Sequence, residues 1–339
     1  MKKLLACILL GLMGFAGFGQ TPTSQPSAET LDSIRFVYYR MAALKYPTIR
    51  QAGISTDIIS EANVRSNLRD GELFQGKAQI TRVKAYFNLP ISSWGKNTVS
   101  ATFGVINEHT SISNVVNPNS LLGIKNMDTN FTTFNFSGSF SRSDSVFGKP
   151  VTYSATVSAV TNASLNRMRL TGMGFATVNL IRNPVTSLSV GAVLIADRSS
   201  IVPGYLLISY SRKFSNLGLE LLADLPARVI VRKELSAKSF LSAGSELGGN
   251  MFFFNPKQSD LPTNAISTSL TIKSGVTFEH LLSKSIVLGV SAGIMSTPMT
   301  KALNTYGSSS DYFIKTKSTS APYVNFSVSF LPFWKGLKL

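Results

Sequence analysis

The segment Thr129–Val160 reads TNFTTFNFSGSFSRSDSVFGKPVTYSATVSAV, and it contains two runs in which apolar and polar side chains alternate. In the first run, Phe134, Phe136 and Phe140 share one parity, while the other parity holds Thr, Asn and Ser. Residues 151–159 repeat the alternation after a turn rich in Ser, Asp, Gly and Pro. A period of two predicts β-strands, because successive side chains point to opposite faces of a sheet.

The length and the two faces of these runs indicate a membrane location. Each run has about ten residues, and at a rise of ~3.3 Å per residue a tilted strand of that length crosses the apolar core of a bilayer. One face is apolar and aromatic, and the other is small and rich in hydroxyl groups. This division is typical of a transmembrane barrel strand, with lipid outside and water inside.

The same alternation recurs along the chain from Ala52 to Phe333. It predicts an all-β fold, a transmembrane antiparallel up-and-down β-barrel of about 14 strands. A barrel of about 12 strands is the alternative, since the count falls if Pro226 does not form a turn. Every second predicted connection is short, and the others include four long ones, at residues 64–76, 113–128, 255–264 and 298–321. Short periplasmic turns and longer outer loops are the asymmetry expected of such barrels.

A soluble exported β-sandwich is the competing fold. Soluble strands average about five or six residues, whereas many of the alternating runs here exceed ten. A sandwich would also bury its apolar faces in a dry core and place charges on the other face. Here the second face is built of Ser, Thr, Gly and Asn, which suits a wet lumen, and the barrel is therefore favoured.

The chain divides into three predicted parts. Residues 1–19 form a secretory signal peptide, with Lys2 and Lys3 before an apolar stretch that ends at a small-x-small site. Residues 20–51 are a Pro- and Ser-rich linker followed by a segment, 32–46, whose pattern fits a short helix or a strand. We expect this segment to be a periplasmic or plug segment rather than an extra strand. The barrel occupies residues 52–339.

Charge and cysteine content narrow the set of partners. The formal charge of +16 falls to +14 without Lys2 and Lys3, and the only Cys lies in the predicted signal peptide. We expect no nucleic acid partner, because the chain is exported and its basic residues are spread over loops. Outer-membrane lipid and lipopolysaccharide are the expected partners, since their phosphates attract Lys and Arg.

Most charged residues in the predicted strands fall on the inward parity. A Lys or Arg facing lipid at the bilayer midplane costs about 2–4 kcal/mol, so this is what a barrel requires. Lys233 departs from the pattern. The charges suit a filter for anionic or polar solutes, or ion pairs that hold the lumen closed. The candidate residues for binding a small solute are Arg82, Lys84, Glu220, Asp224, Arg228, Arg232, Glu234, Glu246 and Lys273.

Enzyme and metal chemistry find little support in the sequence. The two His residues, His109 and His280, fall at opposite ends of the predicted barrel and cannot share a site. No catalytic residue is predicted, and a lipid-active hydrolase that uses His109 as its base is the weakest hypothesis. No Cys–His cluster or calcium-loop spacing is present, so no metal and no cofactor are expected.

Apolar residues cluster near the outer ends of two predicted strands. They are the run 251–254 (Met-Phe-Phe-Phe), Met295 and Met299. We expect them to belong to an aromatic girdle at the outer rim of the barrel. A port for a hydrophobic ligand is the alternative interpretation.

Three features together resemble the outer-membrane β-barrel proteins of Bacteroidota, including families known only from sequence. They are the signal ending at Gly19 with Gln20 as the mature start, the hairpins over residues 52–333, and the aromatic last strand 323–330. The resemblance covers nearly the whole mature chain, but it rests on a pattern and not on a motif. Many such barrels end on an aromatic residue, whereas here five residues follow Trp334.

The strand count and the polar inward parity favour a porin-like or small-solute-binding channel that is not an enzyme. Fourteen strands leave an interior wider than side chains alone would fill, since ~8 strands are just filled. The alternative is a plugged structural or partner-docking barrel that acts through its outer loops 113–128 and 298–321.

Overall fold

The computed structural model describes residues 28–69, 71–117, 125–200, 202–256 and 261–334. The predicted signal peptide therefore lies outside the described residues. A helix, α1, spans Ala28–Lys45, and a 3-10 turn spans Pro47–Ile49. The strands that follow are β1 Ala52–Leu68, β2 Gly71–Trp94, β3 Asn97–Val116, β4 Met127–Val146, β5 Lys149–Asn162, β6 Met168–Arg182, β7 Thr186–Ala196, β8 Gly204–Phe214, β9 Leu219–Leu225, β10 Arg228–Ser236, β11 Ser239–Phe254, β12 Ala265–Leu281, β13 Ile286–Asn304, β14 Ile314–Ser318 and β15 Ala321–Phe330.

All described strands belong to one antiparallel sheet that closes into a ring. From β1 to β13 each strand pairs with the next along the chain. Both β14 and β15 lie between β13 and β1, with β15 paired to residues 52–59 of β1 and β14 to residues 64–68. They are two segments of one strand, interrupted at Thr319 and Ser320. The 15 described strands therefore fill 14 positions around the ring, which confirms the predicted barrel. Pro226 lies in the turn between β9 and β10.

The two parities of the opening segment face opposite sides of the barrel wall. Phe136, Phe140, Tyr153 and Val157 lie on the outer surface and are 41–62% exposed. On the inward parity, the hydroxyl groups of Ser139 and Thr156 share a hydrogen bond of 2.8 Å. A closed sheet satisfies its backbone groups internally, and this outer surface is apolar, so it can face acyl chains. The protein is an outer-membrane β-barrel.

Both ends of the barrel sequence meet at one rim. Ala52 pairs with Phe330, and we call this rim the inner end and the opposite rim the outer end. The turns between β2 and β3, β4 and β5, and β12 and β13 also lie at the inner end. Trp94 and Trp334 both fall there, as the predicted topology requires.

The strands extend further at the outer end than the alternation predicts. The expected loop 64–76 is wrong, because β1 continues to Leu68 and β2 begins at Gly71. Strand extensions also shorten the expected loops 113–128 and 298–321. The residues of 64–76 lose the apolar alternation, yet they still pair. Arg65 forms an ion pair with Glu72 across the hairpin. A strand beyond the bilayer has water on its outer face, so it needs no apolar parity.

The segment 32–46 fits a helix or a strand by sequence, and in the structure its residues 32–45 lie in α1. Arg40 holds the helix against the turn between β12 and β13, where it donates to Ser285 Oγ at 3.3 Å. Pro47 ends the helix by forcing Tyr46 into an extended conformation, with φ −120° and ψ 91°.

No helix among the described residues combines the length and the apolar character needed to cross a bilayer.

Substitution by Arg on the two faces of β5 tests the orientation of the wall. Val157→Arg places a charge in lipid near the middle of the strand, and we expect it to lower the free energy of unfolding by about 2–4 kcal/mol. Ser158→Arg, the matched control on the inward face, is expected to cost much less because the lumen is wet. Urea unfolding in lipid vesicles measures both. Equal losses would contradict the assigned faces.

Candidate solute chamber in the barrel lumen

The residues after α1 cross the bore at the inner end. Lys45 Nζ lies 2.6 Å from Glu220 Oε1 on β9. On the other wall, the Tyr86 hydroxyl of β2 donates to the carbonyl of Pro47 at 3.1 Å. Strands β2 and β9 are seven positions apart in a ring of fourteen, so these contacts lie on opposite walls. Residues 44–51 therefore span the lumen, and we call this segment the inner closure.

Arg50 anchors the inner closure to the barrel. Its side chain is only 3% exposed, and it forms an ion pair of 2.8 Å with Glu279 on β12. The guanidinium also donates to the carbonyl of Ala43 at 3.0 Å and to Ser329 Oγ on β15 at 2.9 Å. Ala43 packs with two apolar residues of the wall, Val287 and Leu331. One buried cation thus ties the segment to two strands.

Tyr46 stacks against the wall at β10. The Arg228 guanidinium lies 4.7 Å from the centre of its ring. Burial raises the pKa of Tyr46 above its ordinary value, and the nearby Asp224 carboxylate raises it further. The ring is therefore neutral at physiological pH and offers its face to the cation.

A second closure lies above, where the outer part of β11 crosses to β4. Thr133 Oγ1 donates to the carbonyl of Met251 at 3.1 Å, and the rings of Phe131 and Phe252 are 6.0 Å apart. Strands β4 and β11 are also seven positions apart, so β11 reaches the opposite wall. We call the stretch 250–254 of β11, with its contacts to β4, the outer closure.

The outer loops hold the outer closure in place. Arg167, between β5 and β6, donates to the carbonyl of Phe254 at 3.0 Å. Arg169 of β6 donates to the carbonyl of Thr305, and its guanidinium is held by Asp197 at 2.6 Å. The ends of β11 and β13 are thus docked on the opposite side of the barrel.

The aromatic run of β11 is not the lipid-facing girdle that the sequence predicts. Phe252 and Phe253 are 5% and 7% exposed, so protein covers them. Met295 of β13 is 3% exposed because it packs with Ile59 and Tyr323. The prediction for the aromatic run was wrong because it assumed that β11 stays in the wall along its whole length. Where β11 bends into the lumen, both of its faces meet other strands, and parity no longer separates lipid from protein.

A cavity of about 560 Å³ lies in the lower lumen, beneath the outer closure. Residues 44–50 form its floor, and β1, β2, β10, β11, β12 and β15 supply most of its wall. Five of the predicted solute-binding residues line this chamber, namely Lys84, Arg228, Arg232, Glu246 and Lys273. Ion pairs therefore do not fill the whole lumen, because a cavity lined by charged residues remains between them.

The other four predicted residues lie outside the chamber lining. Arg82 is buried in an ion pair of 2.6 Å with Glu108. Glu220 is held by Lys45, as described above, and Asp224 forms an ion pair of 3.0 Å with Arg228. Glu234 is exposed on the last residues of β10, at the inner end. These four side chains fix neighbours or face solvent rather than line the chamber.

Sequence reasoning missed four charged residues of the chamber lining, namely Lys45, Arg50, Asp57 and Glu279. Lys45 and Arg50 come from the segment before β1, which no strand pattern could connect to the lumen. Asp57 stands on the inward parity of β1 but had no visible partner in the sequence. In the structure it is fully buried, and one oxygen accepts from Lys273 and from Asn325. Its other oxygen has no hydrogen-bond partner.

The chamber is left with an excess of positive charge. Among the described residues, four of its cations form ion pairs, namely Lys45, Arg50, Arg228 and Lys273. Lys84 and Arg232 form no ion pair with a described residue. Arg232 lies 4.0 Å from the centre of the Phe240 ring, and its buried Nη2 has no hydrogen-bond partner. Glu246 is the one carboxylate of the lining that forms no ion pair with a residue in the described ranges.

The two His residues do not form a second candidate site in the structure. His109 of β3 and His280 of β12 lie at opposite ends of the barrel, and Glu108, the neighbour of His109, forms an ion pair with Arg82. Within the described ranges, no group of three His, Cys, Asp or Glu side chains could hold a metal ion.

Comparison with known proteins adds only distant likenesses. No family model and no curated protein matches the chain. The solved structures that it resembles include an outer-membrane channel from Pseudomonas putida F1, at 9% identity over 83% of this chain and 96% of that one, with a TM-score of 0.36. The transport unit of the autotransporter AIDA-I from Escherichia coli follows, at 9% identity over 92% and 100%, with a TM-score of 0.29. The P. putida toluene transporter TodX has 8% identity over 82% and 88%, and a TM-score of 0.29. We draw no functional conclusion from similarities this low.

Two substitutions in the inner closure test how it is held. Arg50→Ala leaves Glu279 buried without a partner, and we expect it to cost about 3–5 kcal/mol. Lys45→Ala removes a partly exposed ion pair and is expected to cost at most ~1 kcal/mol. Limited proteolysis of residues 28–51 and urea unfolding in vesicles measure the two effects. Similar sensitivity in both variants would contradict the anchoring role of Arg50.

Proposed function

We propose that the protein is a non-enzymatic outer-membrane channel that binds a small solute in the chamber. Its axis is closed in the state described here. The supporting observation is a charged cavity between two closures that are joined to opposite walls by non-covalent contacts. A barrel of this circumference has more interior than side chains fill, so the space must be occupied by chain, water or solute.

The nature of the closures favours a channel that can open. Two ion pairs and a few hydrogen bonds join the inner closure to the wall. Side-chain and loop contacts of this kind have two alternatives, docked and released, that differ by a few kcal/mol. The inner closure is also continuous with the exposed helix α1, so its release needs no change in the strands.

A plugged barrel that acts as a structural or docking protein is the second candidate. The observation that favours it is closure at both ends, with the outer ends of β11 and β13 docked on the loops between β5 and β8. In that case the loops 113–128 and 298–321 would carry the function. The conductance experiment below separates the two candidates.

We further propose that the protein belongs to the outer-membrane barrels of Bacteroidota and that it contacts lipid and lipopolysaccharide. The predicted signal peptide, residues 1–19, and the aromatic last strand support membership among the Bacteroidota outer-membrane barrels. The formal charge of +16 supports contact with lipid and lipopolysaccharide phosphates at the rims.

Single-channel conductance in planar bilayers tests the channel. The two closures act in series, so opening one leaves the other limiting. Lys45→Ala with Arg50→Ala releases the inner closure, and Phe131→Ala with Phe252→Ala loosens the outer one. We expect low conductance from the wild type and from each double variant, and clearly higher conductance when all four substitutions are combined.

The lipid-facing aromatic pair Phe103 and Phe136, with ring centres 5.7 Å apart, provides the matched control. Substituting both by Ala should leave the conductance at the wild-type level. Heat-modifiable migration in gels confirms that each variant has folded. A folded quadruple variant that carries no current at any voltage would leave the structural or docking function.

A further inference from the structure

With β14 and β15 counted as one strand, the described strands of the barrel wall are shortest in the hairpin formed by β9 and β10. These strands have seven and nine residues, while most of the others have 14 or more. A strand needs about 9–11 residues to cross the apolar layer. At ~3.3 Å per residue and a tilt of ~40°, the seven residues of β9 span roughly 18 Å in height and the nine residues of β10 roughly 23 Å, against an apolar band ~25 Å tall. The hairpin therefore ends just below the outer edge of that band.

The strands on either side continue above this hairpin without a neighbour. The Leu247 amide donates to the carbonyl of Ala227 at 2.7 Å, and this is where β11 leaves the hairpin. Among the described strands, residues 248–254 of β11 pair only with β12, and residues 204–207 of β8 pair only with β7. A lateral gap thus lies between β8 and β11 above the Pro226–Ala227 turn, at the level of the outer leaflet.

The chamber reaches this gap. Arg228, Ile230 and Gly244, near the top of the hairpin, line the chamber together with Glu246. Glu246 and Gly248 lie on the inward parity and are nevertheless exposed, whereas the next inward residue, Asn250, is buried in the outer closure. With the axis closed below and above, the accessible side of the chamber is the one beside the gap.

The residues along this route define the chemistry of a ligand. The outward-facing Leu206, beside the gap, is 76% exposed, so an apolar chain can lie there in contact with lipid. Inside the chamber, Lys84 and Arg232 have no ion-pair partner among the described residues, and they suit an anionic group. Glu246 stands in register with two cations, Arg228 on β10 and Lys273 on β12.

We propose that the chamber takes its solute sideways from the outer leaflet, and that this solute is an amphiphile with an anionic head group. The head group binds at the cationic lining of the chamber, to which Lys84 and Arg232 belong, and the chain extends through the lateral gap. This inference rests on the proposed solute-binding role of the chamber, but it does not require that the axis ever opens.

Photo-labelling in lipid vesicles tests the route. The probe is dodecanoate with a diazirine at the end of its chain, and labelled peptides are mapped by mass spectrometry. We expect labelling to concentrate on residues 204–208 and 247–249. Unmodified dodecanoate should compete, while dodecanol, which lacks the charge, and acetate, which lacks the chain, should not. Even labelling around the lipid-facing belt, or equal competition by dodecanol, would overturn the proposal.

A charge variant tests the head-group site with the same probe. Lys84→Met should lower the gap labelling several-fold, and Lys84→Arg, which keeps the charge, should retain it. Lys233→Met removes an exposed, outward-facing lysine of β10 and should have no effect. Unchanged labelling in folded Lys84→Met protein contradicts the assigned site. If the gap is labelled but the four-substitution variant carries no current, axial passage is refuted and lateral entry stands. If that variant carries current but the gap is not labelled, lateral entry is refuted and axial passage stands.

Discussion

Closure of the sheet by β1 with β14 and β15 is the interaction on which the rest of the structure depends. In a bilayer no water is available to satisfy a strand edge, so β-structure crosses only as a ring. The pairing of residues 52–59 with β15 and 64–68 with β14 completes that ring. The exposed edge of β11 above residue 247 does not contradict this requirement. That part of the strand leaves the wall, and the Met251 carbonyl accepts a hydrogen bond from Thr133 inside the lumen.

A ring of fourteen positions sets the second constraint, because its bore is too wide for side chains alone to fill. The chain fills it from two directions. Residues 44–51 cross the inner end from β9 to β2, and the outer part of β11 crosses to β4. Each crossing joins strands that are diametrically opposite. The chamber is the volume left beside and between these crossings, and its charges follow from the strands that surround it.

The buried charges of the lumen obey a simple electrostatic rule with two exceptions. A charge inside the barrel is tolerated when a partner of opposite sign lies beside it, as in the pair of Arg50 and Glu279. Lys84 and Arg232 lack such a partner among the described residues, and both face the chamber. Unpaired charges in a cavity identify a candidate functional site, and the solute site proposed above is placed there for that reason.

The alternation of side chains determined the fold class and the inward face of most charges in the strands, because a period of two records which side of a sheet each residue meets. It predicted about 14 strands but left 12 open, and the pairing of the strands decided for fourteen positions. The alternation also placed five of the nine predicted solute-binding residues on the chamber wall. The sequence could not show that Arg50 lies beside Glu279, 229 positions away along the chain. Nor could it show that β11 leaves the wall and buries Phe253, or that β9 and β10 end below their neighbours. These features depend on contacts across the bore and on relative strand heights, and only the closed tertiary structure fixes both.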